Sequence, residues 1–197
     1  PDYGGQYPTR FYWPDSWSPY ADHLLVEFAY YPEAGGKAIL PAGSGQPVFL
    51  TSPDGVVCCD AAWSSDASGV YFANPYFGMM SAGLWRADAA TGQGTTLIPG
   101  DPGNDGVGPF NLPGFPFQAA DGWLYYFFTQ ITTFPEGDYP LAMYRASADG
   151  VSGQQRLRSD VYLLSEALWV WDGSGAVIVD YSAAPATYPR RGRLVYL

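Results

Sequence analysis

Residues 60–100 read DAAWSSDASGVYFANPYFGMMSAGLWRADAATGQGTTLIPG. Four short apolar runs stand in this stretch, at 61–63, 70–73, 83–87 and 95–98, separated by SSDASG at 64–69, NPYFGMMS at 74–81 and DAATGQG at 88–94. Runs rich in Val, Tyr, Phe, Trp and Thr that are bounded by Gly, Asp, Asn and Ser read as strands. Four antiparallel strands in about 40 residues make one blade of a β-propeller, so the stretch predicts an all-β fold built from repeats.

Copies of this unit recur on either side. DSWSP at 15–19 sets Trp17 where Trp63 stands, followed by strands at 23–31, 37–41 and 47–51. Residues 10–13 offer an incoming edge strand or a covering loop. After the reference unit, PGDPGNDGVGPFNLP at 99–113 reads as a surface loop between blades, because Gly, Pro and Asn crowd it. A third copy has strands at 114–118, 123–129, 140–146 and 155–158, with Phe117 or Phe115 in place of the Trp. A fourth begins with ALWVWDGSG at 167–175 and continues through strands at 176–181 and 192–197. The blades span approximately 14–55, 56–100, 114–160 and 163–197, three and a half to four in all.

The aromatic series Trp17, Trp63, Phe117 and Trp169 is expected to fill the gaps between successive blades. Each such ring removes roughly 150–250 Å² from water, about 25 cal/mol per Å² of stabilisation. Asp66 and Asp172, in SSDASG and WDGSG, read as turn carboxylates that accept backbone N–H bonds.

The totals fit this reading. The 197 residues include 18 Pro and 24 Gly, 17% are aromatic, and no helical apolar period runs uninterrupted. A net charge of -10, from 9 basic and 19 acidic residues, opposes a phosphate backbone and disfavours nucleic-acid binding. No apolar run approaches the roughly 20 residues of a membrane span. The chain starts with Pro and is expected to be processed or trimmed. The two cysteines, Cys58 and Cys59, are neighbours. Two small buried thiols are the preferred reading, with a vicinal disulfide and redox or metal work as the alternatives.

Catalytic signals are weak. His23 is the only histidine, heads an apolar strand, and has no G-x-S-x-G elbow to serve. Glu27, a carboxylate among apolar neighbours, is expected to take a structural partner if its face is buried. Asp101, Asn104 and Asp105 in GDPGNDG offer the oxygen ligands that Ca²⁺ accepts, without EF-hand spacing, and form the one candidate metal site.

The succession Trp, Ser, Asp and Gly, then an aliphatic and aromatic strand, then LWRADAATG, resembles the TolB-like (WD40-like) β-propeller repeat, found also in propeller domains of prolyl oligopeptidase relatives. The resemblance covers residues 14–197. It implies a ring commonly of six blades, completed by the parent chain or by a second chain, with a small open array as the third alternative, and an extracytoplasmic (periplasmic or secreted) bacterial setting. It also implies a non-catalytic module that recognises a protein, peptide or other ligand through its blade-end loops. The aromatic connections supply the candidate contacts: Tyr76 and Phe77 in 74–81, Phe134 and Tyr139 in 132–139. Two alternatives stand beside this one: the propeller portion of a prolyl oligopeptidase-like serine peptidase whose hydrolase domain lies outside these residues, and a sugar-active propeller enzyme.

Overall fold

The computed structural model describes residues 10–30, 34–55, 57, 59–75, 82–103, 106–132, 139–162, 167–181 and 192–197. Among them every regular element is a strand, and the strands form four separate antiparallel meanders, the four blades of a β-propeller. Blade 1 holds β1 (Arg10–Trp17), β2 (His23–Tyr30), β3 (Ala34–Pro41) and β4 (Val48–Phe49). Blade 2 holds β5 (Asp60–Trp63), β6 (Gly69–Asn74), β7 (Gly83–Asp88) and β8 (Gly94–Pro99). Blade 3 holds β9 (Phe110–Gln118), β10 (Leu124–Ile131), β11 (Leu141–Ala146) and β12 (Gln155–Val161). In blade 4 the described strands are three: β13 (Ala167–Trp169), β14 (Ala176–Asp180) and β15 (Arg193–Tyr196).

Blades bury both faces, so neither face can alternate with polar residues. All six residues of β6 are buried, with no charged side chain among them. The face of blade 2 turned toward blade 1 joins Trp63, Val70, Phe72 and Trp85 to Leu25 and Ile39 of blade 1. Its opposite face joins Tyr71, Ala73, Leu84 and Ile98 to Leu124, Tyr126 and Ala146 of blade 3. Blade 3 meets blade 4 through Phe115, Tyr125, Phe127, Met143 and Ile178, with Trp169 and Phe117 packed against them. Two cross-strand ring pairs recur at one position: Phe72 on Trp85 and Tyr126 on Tyr144, both stacked. Each fully buried ring of this kind contributes roughly 2–3 kcal/mol through area removed from water.

The strand register shows which residue of each innermost strand ends its hairpin. Trp17 pairs with Leu24, Trp63 with Val70, Trp169 with Ala176, and Gln118 with Leu124. The turns that follow close alike, with the next residue's N–H donating across the hairpin in every blade: Ser18 to His23, Ser64 to Gly69, Ala119 to Trp123, Val170 to Gly175.

Four expectations change. Trp63 and Trp169 do fill blade gaps, each donating its indole N–H to a carbonyl of the preceding blade, Ser16 at 3.2 Å and Phe115 at 2.9 Å. Trp17 does not: it stands 56% exposed, since no described blade precedes its own. In blade 3 the Trp position belongs to Gln118, not to Phe117 or Phe115. Its Oε1 accepts the Ser65 N–H of blade 2 at 3.1 Å, so a hydrogen bond replaces a ring. Phe117 points to the other face and stacks on Trp169 at 5.8 Å. The loop expected over 99–113 is shorter, because Phe110 to Pro113 join β9 and pair with β10. Similarly, residues 10–17 form one continuous strand rather than two pieces.

Candidate functional site

A cavity of about 490 Å³ opens where the innermost strands of all four blades converge. Blade 1 contributes Trp13, Pro14 and Asp15; blade 2 contributes Cys59, Asp60 and Ala61; blade 3 contributes Phe115; blade 4 contributes Ala167 and Leu168. Glu27 and Lys37, from β2 and β3, complete the wall on the blade 1 side.

Two irregularities aim side chains into this space. The pairing of β1 with β2 skips a residue between Pro14 and Ser16, so Asp15 is the extra residue of a bulge. The pairing of β9 with β10 slips between Tyr125 and Phe127, and there Phe115 adopts a φ of 53°. Bulges leave one residue out of the ladder and redirect its side chain. Both redirected residues line the cavity.

Its electrostatics are set by one ion pair. Trp13, Glu27 and Lys37 lie opposite one another across β1, β2 and β3, on one face of the blade. Lys37 faces Glu27 by register, yet its Nζ donates to Asp15 Oδ2 at 2.8 Å. Only 4% of the Lys37 side chain is exposed, whereas Asp15 keeps 29%. A buried ammonium needs such a partner. Glu27 is exposed and forms no hydrogen bond or ion pair among the described residues. The condition set for a structural partner, a buried face, is not met at Glu27. Asp60 is engaged, its Oδ2 accepting the Phe115 N–H at 3.2 Å, which ties blade 3's bulge to blade 2.

Cys59 borders the same cavity and is disulfide-bonded, with a φ of 98°. The sequence contains one other cysteine, Cys58, which lies outside the described residues. The preferred reading of two free thiols is thus corrected at Cys59. Cys59 Sγ sits 3.8 Å from Asn74 Oδ1, a packing contact, because a sulfur without a proton has nothing to donate.

The candidate loop residues fall partly out of view. Tyr76, Phe77 and Phe134 lie outside the described residues. Tyr139 is half-buried against the Phe115 cluster, and its hydroxyl donates to Pro75 O at 3.3 Å. That bond joins the ends of the 74–81 and 132–139 connections. Strand β6 ends at the cavity's end of the propeller: Asp60, which lines the cavity, pairs with Ala73, one residue before Asn74. The cavity itself was not legible beforehand; the signal that could have found it is Lys37, an only lysine placed in an otherwise apolar strand.

At the calcium candidate, Asp101 Oδ2 accepts the Gly106 N–H at 2.8 Å, and its Oδ1 is buried without a hydrogen-bond partner among the described residues. Asn104 and Asp105 lie outside the described residues. Among the described residues no three His, Cys, Asp or Glu side chains gather as a metal shell. His23 begins β2 at the surface, its Nδ1 3.0 Å from Asp22 Oδ1. Asp66 behaves as a turn carboxylate, accepting the Ser64 hydroxyl at 2.7 Å and the Ser68 N–H at 3.0 Å. Those bonds, led by the Ser64 hydroxyl, hold its pKa at about 2. Asp172 likewise accepts the Ser174 N–H at 2.9 Å.

No family model and no curated protein matches the sequence. Solved structures do match the fold. A protein assigned as TolB from Agrobacterium tumefaciens superposes with a TM-score of 0.59 at 14% identity, over 95% of this chain and 59% of that one. TolB from Acinetobacter baumannii gives 0.60 at 16% identity, over 93% and 39%. Prolyl oligopeptidase B from Galerina marginata, in its apo form, gives 0.51 at 15% identity, over 92% and 26%. The chain therefore spans between about a quarter and three fifths of the length of these proteins. The fold is a TolB-like β-propeller, seen here as four blades.

Proposed function

We propose that this chain is a non-catalytic recognition module, and that the end of the propeller bearing the four-blade cavity takes a segment of another protein or a peptide. One observation carries the reading: every blade contributes an innermost strand to a single cavity, and bulges turn Asp15 and Phe115 into it. Ligand sites favour concavities with apolar walls and a few placed polar groups. Trp13 and Leu168 provide exposed apolar area, and Asp15, Lys37 and Glu27 provide the polar groups. The loop aromatics Tyr76, Phe77, Phe134 and Tyr139 would form the rim, since both connections leave the sheets at this end. The likeness to TolB structures supports an extracytoplasmic setting for the proposal, as does the disulfide at Cys59.

A peptide library displayed on phage and selected against the chain tests this. Selected peptides should lose tenfold or more in affinity with Leu168→Asp, while Ala120→Arg, in the turn at the opposite end, leaves affinity unchanged. Equal binding by the Leu168 variant, at an unchanged melting temperature, defeats the reading.

A second reading is the propeller portion of a serine peptidase, favoured by the superposition on prolyl oligopeptidase B. A G-x-S-x-G motif and a late His, encoded in frame after Leu197, would decide for it.

A further inference from the structure

We infer that the cavity selects a cationic group on its ligand, an arginine or lysine side chain held between the Glu27 carboxylate and the Trp13 indole. The inference rests on the recognition reading above and names the chemistry of the group recognised.

Lys37 stands between two carboxylates, Glu27 and Asp15. A Lys directly opposite a Glu across antiparallel strands ordinarily pairs with it. Here Glu27 and Lys37 are such partners. The bulge at Asp15 brings a second carboxylate within reach, and Lys37 takes that one at 2.8 Å. The Asp15 and Lys37 charges then cancel inside the wall. The Glu27 carboxylate stands at the cavity surface with no hydrogen bond or ion pair among the described residues.

Trp13 is Glu27's partner on the other side of the same row, and it is 51% exposed. A carboxylate beside an aromatic face is a site for an organic cation. The carboxylate supplies a charge-assisted hydrogen bond, and the ring supplies a cation–π contact together with apolar area for the methylene stem. Lys37 cannot occupy that place itself, because Asp15 holds it within the wall. A net charge of -10 on the chain draws cations toward the cavity at low ionic strength and repels acidic ligands. Arginine fits best, since its planar guanidinium can lie on the indole while its N–H groups reach the carboxylate.

Three N-acetylated pentapeptide amides, GGRGG, its citrulline counterpart and GGEGG, serve as probes, titrated by tryptophan fluorescence and by NMR at low and high salt. Citrulline keeps arginine's shape and removes its charge. The expected result is binding of the arginine peptide about tenfold or more above citrulline, weakened by salt, with no binding of GGEGG. Glu27→Gln should abolish the preference for arginine at an unchanged melting temperature. Citrulline and arginine peptides that bind alike and both depend on Leu168 overturn the cation inference and leave the recognition reading standing. Binding that ignores both Glu27 and Leu168 overturns both, and the failure of all three probes to bind overturns the cation inference.

Discussion

Blades 1 and 2 share one plan and use it differently. Residue for residue, the row Trp13, Glu27 and Lys37 of blade 1 corresponds to Asp60, Ala73 and Leu84 of blade 2. In blade 2 the last two are buried against Leu124 and Tyr126 of blade 3. In blade 1 the same places hold a carboxylate and an ammonium that face a cavity. The hairpin ends contrast as well: Trp63 is 7% exposed and Trp17 is 56% exposed. A repeat position thus acquires its role from the neighbouring blade and not from its own residue. Where polar groups replace core residues without loss of the strand, the sheet has given up packing for something else, and such departures gather at functional sites.

The sharpest break of the comparison is truncation of the two tryptophans. Trp63→Ala removes a buried ring and its bond to Ser16 O, and should cost about 3–5 kcal/mol. Trp17→Ala should cost less than about 1 kcal/mol, as exposed substitutions do. Urea unfolding monitored by circular dichroism measures both, and equal losses would dismiss the claim that the preceding blade decides.

Next in size is Lys37→Leu, which gives blade 1 the residue type of blade 2. It strands Asp15, and because Asp15 is partly exposed the loss should be about 2–3 kcal/mol, below that for a fully buried pair. Adding Asp15→Asn should recover more than half of it in the same unfolding experiment. No recovery would mean that Lys37 matters for its packing and not for its charge.

Gln118→Ala probes the third variant of the hairpin end. It removes the bond to the Ser65 N–H and the bond from Nε2 to Gly122 O at 2.9 Å. The expected loss is about 1–2 kcal/mol, between those of the two tryptophans.

These contrasts also mark what could be read in advance. The blade count and most strands were legible because Trp63, SSDASG and LWRADAATG combine short apolar runs with turn residues. Asp66 was legible because its bonds are local. Gln118 was not, since its partner Ser65 is distant in sequence and Phe117 offers a more tryptophan-like side chain one residue away. The cavity was equally hidden: it depends on bulges at Asp15 and Phe115, and a one-residue slip in register leaves no mark in composition. Glu27 was noticed as a misplaced carboxylate, but its freedom from Lys37 arises only when the bulge presents Asp15.

The smallest effect separates two of the Asp residues that brace hairpin turns, one in blade 1 and one in blade 2. In blade 2 Asp66 accepts the hydroxyls of Ser64 and Ser68 and the Ser68 N–H, and its pKa lies at about 2 against an ordinary 3.8. In blade 1 Tyr20 stands at the corresponding place, and Asp22 braces the turn from the far side through the Ser18 hydroxyl, at 2.7 Å. That bond, followed by His23, lowers the Asp22 carboxyl as well. A depressed pKa in the folded state stabilises above the unfolded value, and the contribution disappears as pH falls through the folded value. For Asp66 the window therefore runs from about pH 4 down to about pH 2. Asp66→Asn should lower the melting temperature at pH 7 by a few degrees at most, since water screens an exposed carboxylate. The gap between variant and parent should narrow as pH drops through that window, and more so than for Asp22→Asn. A gap that stays constant from pH 7 to pH 2 would assign the turn's stability to hydrogen-bond geometry alone, and the ionised carboxylate would then contribute nothing that an amide cannot.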